Sequence, residues 1–441
     1  MDVTLIQLQS PIAEEVNNSC IKKLYNCAYD TTQNIDKDNI CYKGILSTTY
    51  LYKSHYQYLT NKSNTSRLNL NISYVGLYIE FADSEVKRVL VQNGFGDENN
   101  EVSEAALTKT SLPTFKTNTR IVSFNELPEF IKIKSLANLQ FFNCSSLTSI
   151  DVSNIDIIGD YIFTNCSSLT TIIGLSHILE NNCTHRLFAN CTNLVFPETT
   201  VINAINVGYQ AFYHCNITNV ELGTNVKSLY QSAFAGCENL IHISGLENIT
   251  HISAYTFDGC INLEGNNGVL DLSNVVSLLA TNRYHGDSEP DSFSQQYSST
   301  NVLAGTFRNC KKIKKIILGS ITYCIENKWN TRYTPFEGCT LLHTVEINSA
   351  TNDFNENGFV FTNKPFFYNC PNMTNLVFKD FIPATFDDGF SSISWTSHIM
   401  PNENGKIYVP DNLLSQYQNH LVWGQISDHI KPMSEYVPIT N

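Results

Sequence analysis

A chain of 441 residues with 28 basic and 41 acidic side chains has a net charge of −13 at neutral pH. This balance argues against a nucleic-acid groove, because such grooves need clustered Lys and Arg to displace counterions. No apolar stretch approaches the ~18 residues of a membrane-spanning helix. The first residues also lack the basic and apolar regions of a secretory signal, so a chain that starts natively at Met1 is not expected to use the usual export route. We expect neither nucleic-acid binding nor membrane insertion.

Residues 1–78 contain no repeat and are rich in Asn, Tyr and Thr. Two short stretches, residues 47–52 and 68–72, have the β-branched or alternating character of strands. They predict a small β-rich domain or an extended attachment segment. The spacing of three cysteines in this segment matches no zinc motif, so we expect no metal there. These cysteines are Cys20, Cys27 and Cys41.

Residues 79–130 predict a helical N-terminal cap. Asp83 is placed as the N-cap of a first helix. One face of this helix has apolar residues at helical spacing, namely Val86, Val89 and Leu90. A second helix is predicted near residue 123, because Ser123 and Glu126 have the Ser-x-x-Glu pattern of a capping box.

The loop within this cap has the helix, acidic loop and helix order of an EF-hand. Calcium-binding loops of this kind place oxygen ligands at positions 1, 3, 5, 9 and 12, with glycine at position 6. Asp97 and Asn99 fit positions 3 and 5, but Phe95, Asn100 and Ala106 fall at positions 1, 6 and 12. The first ligand, the turn glycine and the last ligand are therefore missing. We interpret the segment as a degenerate EF-hand-like loop that binds no calcium.

Nine phenylalanines each stand three residues before a cysteine. The first six of these cysteines recur every 22 to 25 residues, a period typical of solenoids built from one repeated coil. The pairs are Phe141/Cys144, Phe163/Cys166, Phe188/Cys191, Phe212/Cys215, Phe234/Cys237, Phe257/Cys260, Phe307/Cys310, Phe336/Cys339 and Phe367/Cys370. They define a repeat array over residues 131–405.

The segment around Phe234 shows how each coil is expected to fold. Phe234, Cys237 and Leu240 are three residues apart, which predicts a helical or 3-10 turn that faces the core. The alternation that follows, with Ile241 and Ile243 on one side, predicts a short strand. Each coil should then contribute one strand to a growing sheet.

The cysteines of the array could suggest a disulfide framework or a reactive thiol. Because nine of the 14 cysteines occupy one repeat position, we interpret them as small buried core residues with free thiols, although stacked coils could bring neighbours within disulfide range. His214 precedes Cys215, but a buried repeat cysteine is a poor nucleophile. Sequons such as Asn143-Cys144-Ser145 coincide with the motif, so we interpret their Asn as ladder residues that satisfy backbone groups.

Polar segments interrupt the array at residues 281–300, 323–333 and 348–363. Insertions in repeat proteins often form the binding face, and aromatic and Arg side chains dominate binding hot spots. The candidate binding residues are Tyr284, His285, Trp329, Arg332, Tyr333 and Trp395. The alternative is that these side chains pack the insertions onto the solenoid. Cys260 and Cys310 are 50 residues apart, about two periods, so one coil with an unrecognised motif is expected between them.

Residues 406–441 predict a C-terminal cap. Residues 406–411 have the pattern of a strand followed by proline and a helix N-cap. Apolar residues from Leu413 to Val422 then recur at helical spacing, and residues 429–433 look like a final strand. A terminal segment of this kind shields the last coil of a repeat array from water.

The motif Phe-x-x-Cys-x-x-Leu-x-x-Ile, seen in residues 141–150 and 163–172, resembles the BspA-like class of leucine-rich repeats. Residues 79–126 resemble the leader that precedes such arrays in Bacteroidetes and their phages, and residues 407–432 resemble the usual ending of this family. The resemblance implies a leucine-rich-repeat solenoid of short strands and helical or 3-10 turns, with a helical N-terminal cap, a small C-terminal cap and a separate β-rich segment before them. It also implies extracellular adhesion or host recognition without enzymatic activity.

No motif of a serine hydrolase, zinc protease, phosphate-binding loop or dinucleotide-binding fold occurs, so no catalytic residue, metal or cofactor is expected. The expected function is non-enzymatic recognition or adhesion on the surface of a phage virion, with residues 1–78 mounting the chain on other virion proteins. The partner would be a protein or glycan on a cell surface, and the chain could form a homo-oligomer. The alternatives are a bacterial cell-surface adhesin and an intracellular scaffold.

Overall fold

The computed structural model describes residues 79–97, 99–102, 104–275, 277–278, 305–320, 336–349, 367–379 and 394–438. The predicted attachment segment, residues 1–78, lies outside them, as do most of the three polar interruptions. The chain divides into two compact units. Of the described residues, the first unit comprises 79–113, Arg120–Lys134 and Ile150–Asn154, and the second comprises Thr114–Thr119, Ser135–Ser149 and those from Ile155 onwards.

The first unit contains the predicted N-terminal helix, α1 (Ser84–Leu90). Asp83 caps this helix, because its Oδ1 accepts the backbone N–H of Glu85 at 2.8 Å. This bond satisfies one of the amides that the start of a helix leaves without a partner. The buried residues of the helix are Val86, Val89 and Leu90. The predicted cap and the predicted apolar face of this helix are both confirmed.

A tight hairpin turn replaces the EF-hand-like loop. The helical elements that flank it are a π-helical turn, Val91–Phe95, and a 3-10 helix, Glu104–Thr108. An antiparallel bridge joins Gly96 to Val102. Asp97 Oδ1 accepts the backbone N–H groups of Asn99 at 2.9 Å and Glu101 at 3.0 Å. The carboxylate that fitted a ligand position therefore closes the turn through backbone amides.

The helix predicted near residue 123 is wrong. In its place are a short strand, β1 (Ser123–Phe124), and a 3-10 turn, Leu127–Glu129. Both halves of the expected capping box bind other partners in the first unit. The N–H of Ser123 donates to Asp83 Oδ2 at 3.0 Å, and Glu126 Oε1 accepts the N–H of Ala82 at 2.9 Å. Because these contacts are distant in sequence, the local pattern alone could not show them.

The second unit is a stack of coils, and the regular coils contribute two short strands each. One parallel sheet has the order β10–β8–β6, with β6 at Thr200–Ile202, β8 at Asn219–Leu222 and β10 at His242–Ser244. Another has the order β13–β11–β9–β7, with β7 at Asn206–Val207, β9 at Ser228–Leu229, β11 at His251–Ile252 and β13 at Ser277–Leu278. The prediction of one strand per coil is therefore corrected. Successive coils place equivalent segments side by side, so each straight segment pairs with its own copy.

Further short elements complete the first half of the array. Strand β2 (Ser135–Leu136) pairs in parallel with β4 (Ile157–Ile158). The other elements are β3 (Ser149–Asp151), β5 (Thr171–Ile173), α2 (Leu175–Asn181) and a 3-10 turn at Leu246–Asn248.

A six-stranded parallel sheet forms the second half of the array, in the order β12–β14–β15–β16–β17–β18. Its strands are β12 (Val269–Leu272), β14 (Lys315–Ser320), β15 (Thr344–Ser349), β16 (Asn375–Phe378), β17 (Lys406–Val409) and β18 (Ile430–Pro432). In register, Asn375 of β16 pairs with Lys406 of β17. The two strands predicted for the C-terminal cap thus continue the sheet of the array.

The motif turns that contain Cys260 and Cys310 are direct neighbours in the stack. Phe257 stacks on Phe307 with the ring centroids 6.1 Å apart, and Cys310 Sγ donates to the carbonyl of Phe257 at 3.2 Å. Strand β12 pairs directly with β14. No further coil fits between groups in direct contact, so the expected coil with an unrecognised motif is wrong.

The turn of each motif has 3-10 hydrogen bonding. The N–H of Cys237 donates to the carbonyl of Phe234, and that of Leu240 donates to the carbonyl of Cys237, each at 3.1 Å. These bonds span three residues, as the spacing predicts. Ile243 in the following strand is 6% exposed, but Ile241 is 38% exposed. The alternation predicted Ile241 and Ile243 on the same side, which is wrong, because the three-residue step of buried residues continues from Leu240 to Ile243.

Phenylalanine rings form a continuous stack through the second unit, with neighbouring centroids 5.2–6.1 Å apart. In chain order its members are Phe115, Phe141, Phe163, Phe188, Phe212, Phe234, Phe257, Phe307, Phe336 and Phe367, all of them buried. Phe115 precedes residue 131, where the sequence pattern places the start of the array. In its turn Asn118 takes the cysteine position and donates its N–H to the carbonyl of Phe115 at 2.9 Å.

The motif cysteines form a second series of contacts between coils, which we call the thiol ladder. Each Sγ donates to the carbonyl of the phenylalanine one coil earlier at 2.8–3.2 Å. These cysteines and Cys183 are buried and free. Burial raises the pKa of Cys237 to about 12, so its thiol stays protonated at neutral pH. The interpretation of the motif cysteines as buried free thiols is confirmed.

The predicted helix after β17 is present as α3 (Leu414–Asn419), between a 3-10 turn at Asp411–Leu413 and a longer 3-10 segment at Trp423–His429. Tyr417 and Trp423 are fully buried. Their ring centroids lie 6.2 and 6.1 Å from that of Phe378 on β16. A helix after β17 is confirmed, but the predicted apolar run extends beyond it, because the helix ends at Asn419 and Leu421 is 81% exposed. The rings of Tyr417 and Trp423 pack on Phe378 of the six-stranded sheet.

A buried carboxylate, Glu346, lies on the face of this sheet opposite to the buried side chains of Val345 and Ile347. Glu346 of β15 accepts from Lys315 Nζ at 2.5 Å, Lys379 Nζ at 2.7 Å and the hydroxyl of Tyr436 at 3.0 Å. The Glu346 side chain is 4% exposed. Burial would raise the pKa of Glu346, but the two lysines more than offset this effect and lower it. The Tyr436 ring also lies 5.0 Å from that of Tyr408, so the end of the chain is fixed on this face.

Candidate binding groove

Of the six predicted binding residues, the structure describes only Trp395, and the other five lie outside the described residues. These five are Tyr284, His285, Trp329, Arg332 and Tyr333. Trp395 is only 7% exposed. Its Nε1–H donates to the carbonyl of Asn402 at 2.9 Å, and its ring stacks on His429 with the centroids 3.8 Å apart. The prediction of an exposed binding ring is therefore wrong for Trp395, whereas the alternative of a packed ring describes it.

The residue before each motif cysteine has a left-handed backbone, with φ between 55° and 76°. This pre-cysteine column consists of Asn143, Asn165, Asn190, His214, Gly236, Gly259, Asn309, Gly338 and Asn369. Gly and Asn tolerate this conformation best. Asn165 Nδ2 donates to Asn143 Oδ1 at 2.7 Å, and Asn190 Nδ2 donates to Asn165 Oδ1 at 2.6 Å. The predicted Asn ladder is confirmed, although these side chains bind one another rather than backbone groups.

The Asn ladder ends at Asn190, and the pre-cysteine column continues with His214, Gly236 and Gly259. A groove of about 370 Å³ lies at these three positions. A Cβ at Gly236 would overlap the ring of His214, so this ring covers the first glycine. A Cβ at Gly259 would meet only backbone atoms of Gly236, at 3.6 and 3.7 Å. The floor of the groove is therefore open at Gly259, and a side chain at this position would occupy the groove.

A two-point ion pair forms one wall of the groove. Arg308 Nε donates to Asp258 Oδ1 at 2.7 Å, and Arg308 Nη2 donates to Asp258 Oδ2 at 2.5 Å. The two side chains are 24% and 16% exposed, so they reach the surface while their planar groups hold each other in place. Such bidentate pairs fix geometry as well as charge. The groove thus offers a rigid, planar array of polar atoms.

Aromatic and charged side chains form the rim. The rings of Tyr213 and His214 contact edge to face, with the centroids 4.2 Å apart, and His214 is exposed. Glu238 and Lys311 are exposed on the same rim. A ligand in the groove would meet both aromatic rings and paired charges. This combination is suited to binding.

The described residues of the groove include no activated nucleophile. Cys215, next to His214, is buried, and its Sγ donates to the carbonyl of Phe188 at 3.1 Å. Burial raises the pKa of Cys215 well above its ordinary value, so the His214–Cys215 pair has no thiolate for covalent catalysis. Within the described ranges, no group of three or more His, Cys, Asp or Glu could hold a metal ion. No helix of the described chain is long and apolar enough to cross a membrane.

The sequence carries one signal for the groove, in the pre-cysteine column. Gly236 and Gly259 fill consecutive positions of a column in which the first three coils have Asn and the fourth has His214. A search for exposed aromatics in irregular segments leads away from these positions, because the groove lies in regular coils. Arg308 and Asp258 are also 50 residues apart in sequence, and only the stacking of their coils brings them together.

Coils with parallel strands, joined by a phenylalanine stack and a thiol ladder, define a leucine-rich-repeat solenoid. The family model described as the BspA type leucine rich repeat region matches residues 102–199, 181–277 and 270–408, with 6 copies. These matches together span more than half of the chain. The chain therefore belongs to the BspA type leucine-rich-repeat family. A comparison with curated proteins gave no match.

Several solved bacterial structures are similar to parts of this chain. A leucine rich repeat protein of T. pallidum is 26% identical, with 29% of this chain and 71% of that chain covered and a TM-score of 0.23. A leucine rich cell surface protein of Faecalibacterium prausnitzii is 16% identical, with 68% and 77% covered and a TM-score of 0.33. A leucine-rich repeat protein of Bacteroides ovatus is 20% identical, with 73% and 94% covered and a TM-score of 0.28. The fold assignment rests on the family match and the coil geometry.

Proposed function

We propose that this chain is a non-enzymatic recognition protein that binds a macromolecule on a cell surface, and that the groove at Gly236 and Gly259 is part of its binding surface. The observation that carries the proposal is the interruption of the Asn ladder. At that interruption the side chains leave an open floor, an aromatic rim and the fixed Asp258–Arg308 pair. Concave sites with a few oriented polar groups are the usual places for ligand binding.

The proposal predicts that Gly259→Asn weakens binding to target cells at least tenfold. Asn is the residue that other coils hold at this column with a similar φ, so the coil should still fold while the new side chain fills the groove. The labelled chain would be titrated against a panel of Bacteroidetes strains, the group that the motif resemblance names, and binding measured by flow cytometry. Asn369→Gly, the reverse change in the same column outside the groove, should bind as the unaltered chain does. Unaltered binding by Gly259→Asn would contradict the proposal.

We further propose that the chain is displayed on a phage virion and is mounted there through residues 1–78, followed by a cap at residues 79–130, the array at 131–405 and a second cap at 406–441. The support is the resemblance of residues 79–126 to the leader found in Bacteroidetes and their phages. Residues Tyr284, His285, Trp329, Arg332 and Tyr333 remain proposed contacts to a protein or glycan. A bacterial cell-surface adhesin and an intracellular scaffold are the alternatives.

Removal of residues 1–78 is expected to abolish incorporation into virions and to leave the solenoid folded, because the described core contacts lie within residues 79–438. Incorporation would be followed by immunoblotting of purified particles, and folding by circular dichroism of the truncated chain. Normal incorporation of the truncated chain would contradict mounting through this segment. Detection of the protein on bacterial cells that produce no phage would favour the adhesin.

A further inference from the structure

We infer that the groove takes a neutral sugar ring at the end of a glycan. This inference rests on the proposed function, since it names the chemical class of the ligand for the same groove. It depends on three properties of the described residues: the balance of charge, the orientation of the polar groups, and the position of the aromatic rim.

The charges of the groove cancel. Its ionisable lining consists of two carboxylates, Glu238 and Asp258, and two cations, Arg308 and Lys311, with His214 beside them. Arg308 is already paired with Asp258 through two hydrogen bonds. A phosphorylated, sulfated or sialylated ligand would bring negative charge to a site without net positive charge, in a chain whose net charge is −13. The electrostatics therefore favour an uncharged ligand.

The polar groups suit hydroxyl groups. A carboxylate has about four acceptor sites, and the two bonds from Arg308 take two of those on Asp258. The remaining acceptor sites of this fixed carboxylate can receive the hydroxyl hydrogens of a diol. Neighbouring hydroxyls on a sugar ring donate and accept in pairs, so a planar carboxylate held by a guanidinium can bind two of them together. A rigid site of this kind loses little conformational entropy when it binds.

The aromatic rim and the volume of the groove also suit a sugar ring. Tyr213 has an apolar ring with a polar end, and the ring lies against His214 at the edge of the groove. The C–H face of a sugar can pack on such a ring while its hydroxyls reach Asp258. The volume of 370 Å³ is near the lower end of the ~300–1,000 Å³ of small-ligand pockets. A protein partner would need a far larger contact, about 800 Å² on each side.

The test compares equivalent tyrosines in two coils. Tyr213 and Tyr368 each follow a motif phenylalanine, but only Tyr213 lines the groove. The unaltered chain would be screened on an array of neutral and sialylated oligosaccharides, and the best neutral oligosaccharide would be titrated by isothermal calorimetry. Tyr213→Ala should lower its affinity at least tenfold, Tyr213→Phe should change it less than threefold, and Tyr368→Ala should leave it unchanged. Preference for sialylated probes, or equal effects of the two alanine changes, would overturn the inference.

A second arm separates the ligand class from the function. Target cells would be treated with periodate, which destroys vicinal diols, or with protease before the chain is added. Loss of binding after periodate and retention after protease are expected. If binding depends on Gly259 but survives periodate and is lost with protease, the ligand is a protein, which overturns the sugar assignment and leaves the proposed function intact. If binding is insensitive to Gly259→Asn, both proposals are contradicted.

Discussion

Phe234→Ala is expected to lower the free energy of unfolding by about 3–5 kcal/mol, the range for removal of a buried aromatic ring. Phe234 is fully buried. Its ring centroid lies 5.2 Å from that of Phe212 and 6.0 Å from that of Phe257, with the planes nearly parallel. The change removes both ring contacts and leaves a cavity within the stack. Because backbone bonds hold the coils on either side, the cavity cannot collapse fully.

Urea unfolding followed by circular dichroism would measure this loss for Phe234→Ala. Tyr368→Ala is a matched control, because it removes an aromatic ring from the surface of another coil, and it should change stability by about 0.5 kcal/mol or less. In a solenoid each coil contacts only its neighbours, so the same change at Phe212 should give a similar loss. Equal losses for Phe234→Ala and Tyr368→Ala would show that the stack contributes little.

Glu346→Ala is the second change with a large expected effect, a loss of about 2–3 kcal/mol. Breaking a fully buried ion pair typically costs about 3–5 kcal/mol, because the remaining charge loses its partner. The cost here should be smaller, since Lys379 is 44% exposed and can regain water, whereas Lys315 is 20% exposed. The change also removes the acceptor of the Tyr436 hydroxyl. The end of the chain should therefore detach from the sheet.

Hydrogen exchange at residues 433–438 and urea unfolding would test the Glu346 prediction. Glu221→Ala, which removes an exposed carboxylate from strand β8, should have almost no effect on either measurement. Glu346→Gln should have an intermediate effect, because an amide oxygen still accepts from the lysines. Full protection of residues 433–438 in Glu346→Ala would contradict the assigned role of this carboxylate.

The same carboxylate predicts how stability depends on pH. The lysines lower the pKa of Glu346 in the folded chain, so the unfolded chain binds its proton at a higher pH. The contribution of Glu346 to stability is then fully present above the ordinary pKa of glutamate, about 4.3, and is lost as the pH falls through the lowered value. Glu346→Gln should remove this part of the acid sensitivity.

The repeat core could be predicted from sequence because one spacing determines it. The Phe and Cys of each motif recur at a fixed period, and a period of this kind can be satisfied only if equivalent residues stack. Phe115 was missed because Asn118 replaces the cysteine, although the backbone bond of the turn is the same. The helix expected at Ser123 failed for a different reason. Its capping groups bind Asp83 and Ala82, about 40 residues earlier.

The groove could be predicted only in part. The two glycines of the pre-cysteine column are visible in the sequence, and their shared conformation follows from the Asn at equivalent positions. The pairing of Asp258 with Arg308 could not be predicted, because they are 50 residues apart in sequence, a distance of about two periods that predicts a further coil between their coils. Trp395 is an example of a wrong site prediction. Its position in an irregular segment predicts an exposed ring, but its N–H and its ring both have partners in the folded chain.

The direct contact of Phe257 with Phe307 has a consequence for how this protein can vary. Ring stacking and hydrogen bonds join the coils at their turns, so residues added between β13 and Gly305 leave the register of the core unchanged. Loop closure becomes only slowly more costly with length. Evolution can therefore change the length and sequence of an insertion between neighbouring turns almost independently of the stability of the scaffold, much as antibodies vary their loops on a constant framework.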